Sequence, residues 1–193
     1  MTKEVEFEAK SLVKKQTFIR LQQLFPTYTA ISQENTYYDT ETLTLKQHGA
    51  ALRVRTKETD TVLTFKQPFQ DGLLETHQPF TPDMSALLQS GEIPEGPVKI
   101  AVTSLVGSPI NVTPLGHIRT ERRVISYENG LLCLDHSFYL QTEDYEVEFE
   151  GSSMTHAQEV LNNLLDKVGT QPIPTVSKIG RLFHSYQSRN DIP

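Results

Sequence analysis

Charged and apolar residues alternate strictly near both ends of this chain. The pentapeptide Glu-Val-Glu-Phe-Glu stands at residues 4–8 and again at residues 146–150. Because successive side chains of a β-strand point to opposite faces, each copy predicts a strand with three glutamates on one face and Val and Phe on the other. Taken singly, each pentapeptide is more typical of a strand with one face in water. If the two strands lay side by side, their six carboxylates would crowd onto one surface and would need cations close by.

The same alternation predicts further strands that carry the opposite charge. Arg53 and Arg55 share one face of a predicted strand at 51–57, and Lys66 lies on the charged face of a strand at 61–67. Each of these strands has an apolar reverse face. A solvated basic face explains any one of them, but basic and acidic strands together indicate charged groups that face each other.

Arginine is dense in a later predicted strand. Arg119, Arg122 and Arg123 stand close together in the segment 118–123. The parity of a strand separates Arg122 from the other two. Parity alone leaves open which of the two sets faces the same side as the other charges.

The whole pattern predicts strands with several amphipathic helices. The strands are expected at 4–10, 30–39, 51–57, 61–67, 73–80, 117–127, 131–140 and 144–150. The sixth and seventh of these strands are expected to meet in an Asn-Gly hairpin turn at 128–130. The helices are expected from Ser11, as N-cap, to Phe25, and at 41–48, 82–89, 98–106, 155–168 and 177–187. Closure into a barrel is one way to remove the edges of such a sheet. With helices outside, the apolar strand faces would pack outward (Val5, Phe7, Leu52, Val54, Val147, Phe149).

A Gly- and Pro-rich segment at 91–114 divides the pattern. We interpret it as the joint between two halves, about 1–90 and 115–193, of a single domain that spans residues 1–193. At 193 residues and 21.9 kDa the chain is of ordinary size for one domain.

Composition narrows the function. The net charge of −6 and the pI of about 5.5 argue against a nucleic-acid partner. The single cysteine, Cys133, lies in an apolar run and is expected to be a buried structural thiol. The six histidines lack the spacing of metal ligands, so zinc is not expected. No apolar run reaches the ~20 residues of a membrane span and no signal peptide is recognisable, so a cytoplasmic protein without a membrane partner is predicted. A homodimer stays open.

Basic and acidic strands around one lumen would suit a polyanion bound together with a divalent metal. Arginine and lysine match phosphate oxygens, and clustered carboxylates bind Mg²⁺ or Mn²⁺ through oxygen. A linear triphosphate is the natural small-molecule substrate for such a lumen.

The ordered motifs resemble those of the CYTH superfamily, also called the triphosphate tunnel metalloenzymes. The family includes thiamine triphosphatases, class IV adenylate cyclases and inorganic triphosphatases. The matching segments are Glu6-Phe7-Glu8-Ala9-Lys10, Tyr37-Tyr38-Asp39-Thr40, Leu52-Arg53-Val54-Arg55, Leu63-Thr64-Phe65-Lys66, Glu75, Thr120-Glu121-Arg122, Leu134-Asp135, Glu146-Val147-Glu148 with Glu150, and Ser177-Lys178-Ile179-Gly180-Arg181. The resemblance implies an α+β fold, an eight-stranded antiparallel β-barrel (the triphosphate tunnel) with helices packed on the outside. It also favours Arg122 as the inward arginine.

The resemblance implies site residues as well. The phosphates would be bound by Lys10, Arg53, Arg55, Lys66, Arg122, Lys178 and Arg181. One or two Mg²⁺ or Mn²⁺ ions would be held by Glu6, Glu8, Asp135, Glu148 and Glu150, with Glu146 and Glu75 as further candidates. Lys66 and Arg55 are the expected catalytic residues, which stabilise charge on the transferring phosphoryl group.

The predicted reaction is in-line attack of water on a terminal phosphorus, with inorganic triphosphate as the first substrate. Nucleoside or thiamine triphosphate hydrolysis and adenylate cyclisation are alternatives on the same scaffold. A module that binds a polyphosphate or a phosphorylated nucleotide without turnover is the alternative of a different class.

Overall fold

The computed structural model describes residues 2–58 and 60–190, with side chains from Lys3 to Tyr186. Eight strands and six helices lie within these ranges. The strands are β1 (Thr2–Leu12), β2 (Ile31–Asp39), β3 (Ala51–Lys57), β4 (Asp60–Phe69), β5 (Gly72–Pro79), β6 (Thr113–Tyr127), β7 (Gly130–Tyr139) and β8 (Thr142–Gly151). The helices are α1 (Lys15–Leu24), α2 (Thr44–Gln47), α3 (Pro82–Gln89), α4 (Pro97–Val106), α5 (Met154–Lys167) and α6 (Lys178–Asn190).

The strands hydrogen-bond in the order β1-β5-β4-β3-β2-β6-β7-β8, and this order closes on itself. Adjacent strands pair in antiparallel register in β1/β5, β1/β8, β3/β4, β4/β5, β6/β7 and β7/β8. The predicted α+β fold with a closed, eight-stranded antiparallel barrel is therefore confirmed. Closure leaves the sheet without a free edge.

The chain forms two compact units. Unit 1 contains the residues up to Glu6 together with Glu34–His117, and unit 2 contains Phe7–Gln33 and the residues from Ile118 onward.

The core of unit 1 lies between the apolar faces of its strands and its helices. Leu52, Leu63 and Phe65 are fully buried on β3 and β4. They pack against α4, whose Val98 and Val102 are also fully buried. The segment 91–114 belongs to this core, since it contains α4 and further buried residues (Ile93, Ala101, Val112).

The core of unit 2 is built in the same way. Val147 and Phe149 of β8 and Leu132 and Leu134 of β7 are fully buried. They pack against the apolar stripes of α1 and α5 (Phe18, Leu21, Ala157, Leu161, Leu164, Leu165). These residues form the apolar strand faces that the alternation in sequence predicts. Val5, by contrast, is 38% exposed, so its predicted place under a helix is wrong.

Ser11 does not cap α1 as its position before the helix predicts. It is buried near the end of β1, where its hydroxyl donates to Leu12 O and accepts from Ile173 N. The helix begins four residues later, after Lys14, which makes no side-chain cap. The strand continues past Ser11 because residues 7–12 are paired with β8.

The β6–β7 hairpin turns at Glu128 and Asn129, both of which have positive φ, 45° and 57°. Gly130 is already paired with Tyr127 in the ladder. A Cβ on Gly130 would lie 2.3 Å from the carbonyl oxygen of Glu150. Asn129 thus serves the turn, and Gly130 permits the close approach of the next strand.

Among the described residues, no helix has both the length and the apolar character required to cross a membrane.

Candidate active site

In unit 2, strand register sets charged residues of three neighbouring strands in one row. Arg122 of β6 lies directly opposite Asp135 of β7, and Asp135 lies directly opposite Glu146 of β8. Glu148 follows two residues later on the same face of β8. These side chains project from the sheet face opposite to the apolar core, because their neighbours in sequence face that core.

Arg122 and Lys178 hold these carboxylates. Arg122 Nε and Nη2 donate to the two oxygens of Asp135 at 2.7 and 2.6 Å, and Nη2 also donates to Glu148. Lys178 Nζ, in the first turn of α6, lies 2.8 Å from Asp135 Oδ2. The same ammonium group lies 2.7 Å from Glu146 Oε2 and 2.6 Å from Glu148 Oε1. We call Arg122, Asp135, Glu146, Glu148 and Lys178 the unit 2 cluster.

Burial makes the charges of this cluster interdependent. The side chains of Asp135 and Glu146 are 0% exposed and that of Lys178 is 11% exposed. Burial opposes ionisation of Asp135, but Arg122 and Lys178 outweigh it and hold the pKa of the carboxyl below its ordinary value. Burial likewise opposes the charge on Lys178, but the three carboxylates raise its pKa well above the usual range. The fully charged state is therefore the stable one for both.

The pKa of Glu146 shifts the other way. Burial raises the pKa of this carboxyl, and the charge on Glu148 adds to the effect although Lys178 opposes it. The pKa of Glu148 falls well below its ordinary value, because Lys178 and Arg122 outweigh the effect of burial. Glu146 is thus the carboxyl of the cluster that most readily accepts a proton.

Arg181, one turn after Lys178 on α6, is fully engaged by protein acceptors. Its Nε donates to Asp144 at 2.7 Å and its Nη2 to Glu146 at 2.9 Å. Its Nη1 donates to Val176 O at 2.9 Å and to Thr175 Oγ1 at 3.3 Å. A guanidinium has five N–H donors, and these contacts use each of its nitrogens. Arg181 therefore anchors α6 to β8.

Lys10 and Glu8 continue the charged face of unit 2 on β1. Lys10 Nζ donates to Glu8 Oε1, and Lys10 lies directly opposite Glu148 in the ladder. Burial works against the charge on Lys10, but Glu8 and Glu148 outweigh it and raise the pKa of the ammonium group. Glu150 lies opposite Glu8.

Unit 1 carries a second group of charges, centred on Glu75. The carboxylate Oε1 of Glu75 lies 3.3 Å from Arg53 Nη2 and 3.1 Å from Lys66 Nζ. Lys66 also donates to Glu6. Burial works against ionisation of Glu75, but Arg53 and Lys66 outweigh it and lower the pKa of this carboxyl to about 2. We call Glu6, Arg53, Lys66 and Glu75 the unit 1 cluster.

Two arginines of β3 differ in how their donors are used. Arg55 Nε donates to Asn35 Oδ1 at 2.9 Å. Arg53 Nε is buried and has no hydrogen-bond partner among the described residues. A buried guanidinium N–H without an acceptor is costly, so this atom is a natural place for an external oxygen.

Most predicted site residues lie in these two groups. Arg122, Lys178, Asp135 and Glu148 meet in the unit 2 cluster, and Arg53, Lys66 and Glu6 meet in the unit 1 cluster. Of the alternative pair on the Arg-rich strand, Arg119 is exposed and pairs with Glu121, and Arg123 is half-buried. Cys133 is half-buried on the charged face, opposite Glu148, instead of within the apolar core. The sequence did not single out His77, which lies beside Glu4 and Glu75.

Three carboxylates of the unit 2 cluster could hold a metal ion. Asp135, Glu146 and Glu148 each offer an oxygen, and these oxygens all lie within 4.8 Å of one another. Of the other predicted metal ligands, Glu6 contacts Lys66 and Glu8 contacts Lys10.

A profile of the CYTH domain matches residues 4–183. The chain belongs to the CYTH domain family. YjbK of Bacillus subtilis strain 168, named as a candidate triphosphatase, is 38% identical over 187 residues, which are 95% of this chain and 96% of YjbK.

Two solved structures extend the comparison. A candidate adenylate cyclase from Bacillus halodurans is 42% identical, with a TM-score of 0.87, and the match covers 95% of this chain and all of that one. HpAC1 from Hippeastrum, a candidate adenylyl cyclase described as having a dominant triphosphatase activity, is 20% identical, with a TM-score of 0.75 and coverage of 94% and 96%. The second likeness is one of fold.

Proposed function

We propose that this CYTH protein is a divalent-metal-dependent triphosphatase and that inorganic triphosphate is its substrate. The observation that carries the proposal is the unit 2 cluster, in which two partly buried cations are held among three buried carboxylates. Such a network contributes little net stability, because desolvation offsets the attraction between its charges. Its residues fit a site in which cations and carboxylates exchange their present partners for those of a bound anion.

The donor chemistry of the cluster fits Mg²⁺ or Mn²⁺. Asp135, Glu146 and Glu148 supply carboxylate oxygens alone, which are the ligands these hard cations prefer. A bound divalent ion would neutralise charge on the phosphate oxygens and make a water molecule more acidic. Glu8 and Glu150, on the adjoining part of the charged face, are assigned to support these ligands.

The cations of unit 2 would bind phosphate oxygens. Arg122 presents a planar fork that matches two oxygens of a phosphate as well as it matches the two oxygens of Asp135. Lys178, at the start of α6, already contacts three oxygens and would supply a compact charge to the same anion. Lys10 adds a third cation on β1. Arg181, whose donors are taken by protein acceptors, is assigned to position α6 and with it Lys178.

The cations of unit 1 are likewise assigned to phosphate oxygens. Arg53 has a buried Nε with no protein acceptor, and Lys66 and Arg55 lie near it on the same sheet. In the proposed reaction, the oxygen of water bonds to the terminal phosphorus as the bond from phosphorus to the bridging oxygen breaks. The electron pair of that bond leaves on pyrophosphate, and the attacking water loses its proton to solvent. Lys66 and Arg55 stabilise the negative charge on the transferring phosphoryl group.

Inorganic triphosphate is the preferred substrate because the assigned contacts are all charged. None of the assigned residues provides an aromatic surface on which a thiamine or purine ring would stack. The relation to YjbK, named as a candidate triphosphatase, supports hydrolysis. The relation to the candidate cyclase from Bacillus halodurans makes adenylate cyclisation the second function to test.

A substrate screen tests the proposal. Phosphate release is measured from triphosphate, ATP and thiamine triphosphate with Mg²⁺ or Mn²⁺, and cyclic AMP is measured in the ATP reaction. We expect metal-dependent release, fastest from triphosphate, that falls at least about a hundredfold in Glu148→Gln and Lys66→Ala. Lys99→Ala, which removes the ion-pair partner of the exposed Glu95, is the matched control and should be active.

Three results would overturn parts of this assignment. Cyclic AMP as the main product would replace hydrolysis by cyclisation. Tight binding of triphosphate without release of phosphate would make the protein a receptor. Full activity in both Glu148→Gln and Lys66→Ala would show that the site lies elsewhere.

A further inference from the structure

Glu4, Glu75 and His77 meet on one face of the sheet in unit 1. Glu4 of β1 lies directly opposite Glu75 of β5, and His77 follows Glu75 by two residues on the same face. One ligand atom from each of the three lies within 4.8 Å of the other two. The group is set by strand register and not by a loop, so its geometry is fixed by the backbone ladder.

The two ring nitrogens of His77 have different surroundings. Nδ1 lies 3.0 Å from Oγ1 of Thr64, a buried residue directly opposite on β4. Nε2 lies 2.9 Å from Glu4 Oε1 and 3.3 Å from Glu75 Oε2. When the Thr64 hydroxyl donates to Nδ1, Nε2 carries the proton and donates to these carboxylates. When Nδ1 carries the proton and Thr64 accepts it, the lone pair of Nε2 faces the two carboxylate oxygens, and a metal cation can bind all three atoms.

Glu75 divides its two oxygens between different neighbours. Oε1 faces Arg53 and Lys66, whereas Oε2 faces His77. A cation at Oε2 would therefore leave the ion pairs of Oε1 in place. Glu4 is 56% exposed, so such a cation would be reached from solvent and would keep water on its open side.

We propose that Glu4, Glu75 and His77 form a site for a divalent transition-metal ion of the Zn²⁺ type. One imidazole nitrogen and two carboxylates are a ligand set that Zn²⁺ and Co²⁺ accept, with water in the fourth position. Mg²⁺ takes oxygen ligands and has no preference for the nitrogen. Thr64 supplies the outer hydrogen bond that orients a metal-bound histidine. The site shares no ligand with Asp135, Glu146 and Glu148, the unit 2 carboxylates proposed above to hold Mg²⁺ or Mn²⁺.

The experiment titrates Zn²⁺ into the full chain in excess Mg²⁺ and follows the ¹⁵N-labelled imidazoles by NMR. We expect one equivalent of Zn²⁺ to shift Nε2 of His77, and we expect Co²⁺ to give a visible absorption band from nitrogen ligation. Both effects should vanish in His77→Gln. Thr64→Val, which keeps the ligands, should weaken Zn²⁺ binding about 10-fold to 100-fold.

His117→Gln is the matched control. His117 Nε2 faces a single carboxylate, Glu34, at 3.7 Å, and this variant should bind Zn²⁺ like the wild type. The proposal is overturned if Zn²⁺ leaves the His77 resonances unmoved, or if His77→Gln and Glu4→Gln bind Zn²⁺ with unchanged affinity. Should His77→Gln not fold, the wild-type resonances and the exposed Glu4→Gln variant decide the question. No outcome depends on triphosphatase activity.

Discussion

Arg122 and Asp135 form a two-point ion pair across neighbouring strands, Nε to Oδ1 at 2.7 Å and Nη2 to Oδ2 at 2.6 Å. The strand register places them directly opposite each other, and Asp135 is fully buried. The pair is therefore both a structural contact and the centre of the proposed phosphate site. Its two roles can be separated by substitution.

Replacing Asp135 alone should lower the free energy of unfolding more than replacing both members of its ion pair with Arg122. Asp135→Leu leaves Arg122 and Lys178 with one buried carboxylate fewer, and we expect the free energy of unfolding to fall by about 3–5 kcal/mol. The double variant Arg122→Met with Asp135→Leu should recover part of that loss, because Lys178 retains Glu146 and Glu148. Urea denaturation followed by circular dichroism measures both.

Arg119→Met is the control for this comparison. Arg119 pairs with Glu121 at an exposed position, and its loss should cost less than about 1 kcal/mol. A double variant that is less stable than Asp135→Leu alone would contradict the expectation.

The low pKa of Glu75 predicts how stability depends on pH in metal-free protein. A carboxyl whose pKa falls from 4.5 when unfolded to about 2 when folded stabilises the folded state above pH 4.5. The contribution is about 3 kcal/mol at neutral pH and disappears as pH falls towards 2. The stability gap between wild type and Glu75→Gln should therefore be constant from pH 7 to about 5.5 and should narrow below about 4.5. An unchanged gap at pH 3.5 would show that Glu75 is not held ionised by its neighbours.

Cys133 should react slowly with thiol reagents in the folded protein. Burial raises the pKa of its thiol to about 12, an effect that Arg122 only partly offsets. At pH 8 the thiolate fraction is then about a thousandfold below that of a thiol with a pKa of 9. Maleimide labelling with and without denaturant measures the difference. Labelling of the folded chain at the rate of the unfolded chain would contradict the raised pKa.

Substitution of Arg181 should mainly affect stability, whereas substitution of Lys178 should mainly affect catalysis. Arg181→Met removes the contacts with Asp144 and Glu146 that anchor α6, so the free energy of unfolding should fall by about 3 kcal/mol. Lys178→Met removes a proposed phosphate ligand. At a temperature where both variants are folded, we expect kcat/KM to fall further in Lys178→Met than in Arg181→Met. The reverse order would place the Arg181 guanidinium at the phosphates.

Strand alternation was enough to predict which side chains share a face. It separated Glu146 and Glu148 from Val147 and Phe149. It also separated Arg122 from Arg119 without deciding which of the two faces the other charges. The strand at 51–57 and the helix at 82–89 have their predicted bounds. These elements are determined by local period and by Pro at a helix start, both of which are visible in one stretch of sequence.

The features that the sequence did not reveal depend on pairings between distant residues. Ser11 has the local chemistry of an N-cap, but pairing of β1 with β8 keeps it in a strand. His77 lacks any metal-ligand spacing in the sequence, yet register places it beside Glu4, 73 residues away. Arg181 has the composition of a phosphate ligand, but only its contacts with Asp144 and Glu146 show that its donors are occupied.

The segment 91–114 has the composition of a tether, and an engineer guided by glycine and proline content would choose it for shortening or for insertion of a tag. Ile93, Val98, Val102 and Val112 are each at most 2% exposed. Removal of the segment would expose Leu52, Leu63 and Phe65, and with them an apolar sheet face, to water. The shortened chain should therefore aggregate on expression and not behave as a chain with a shorter flexible linker.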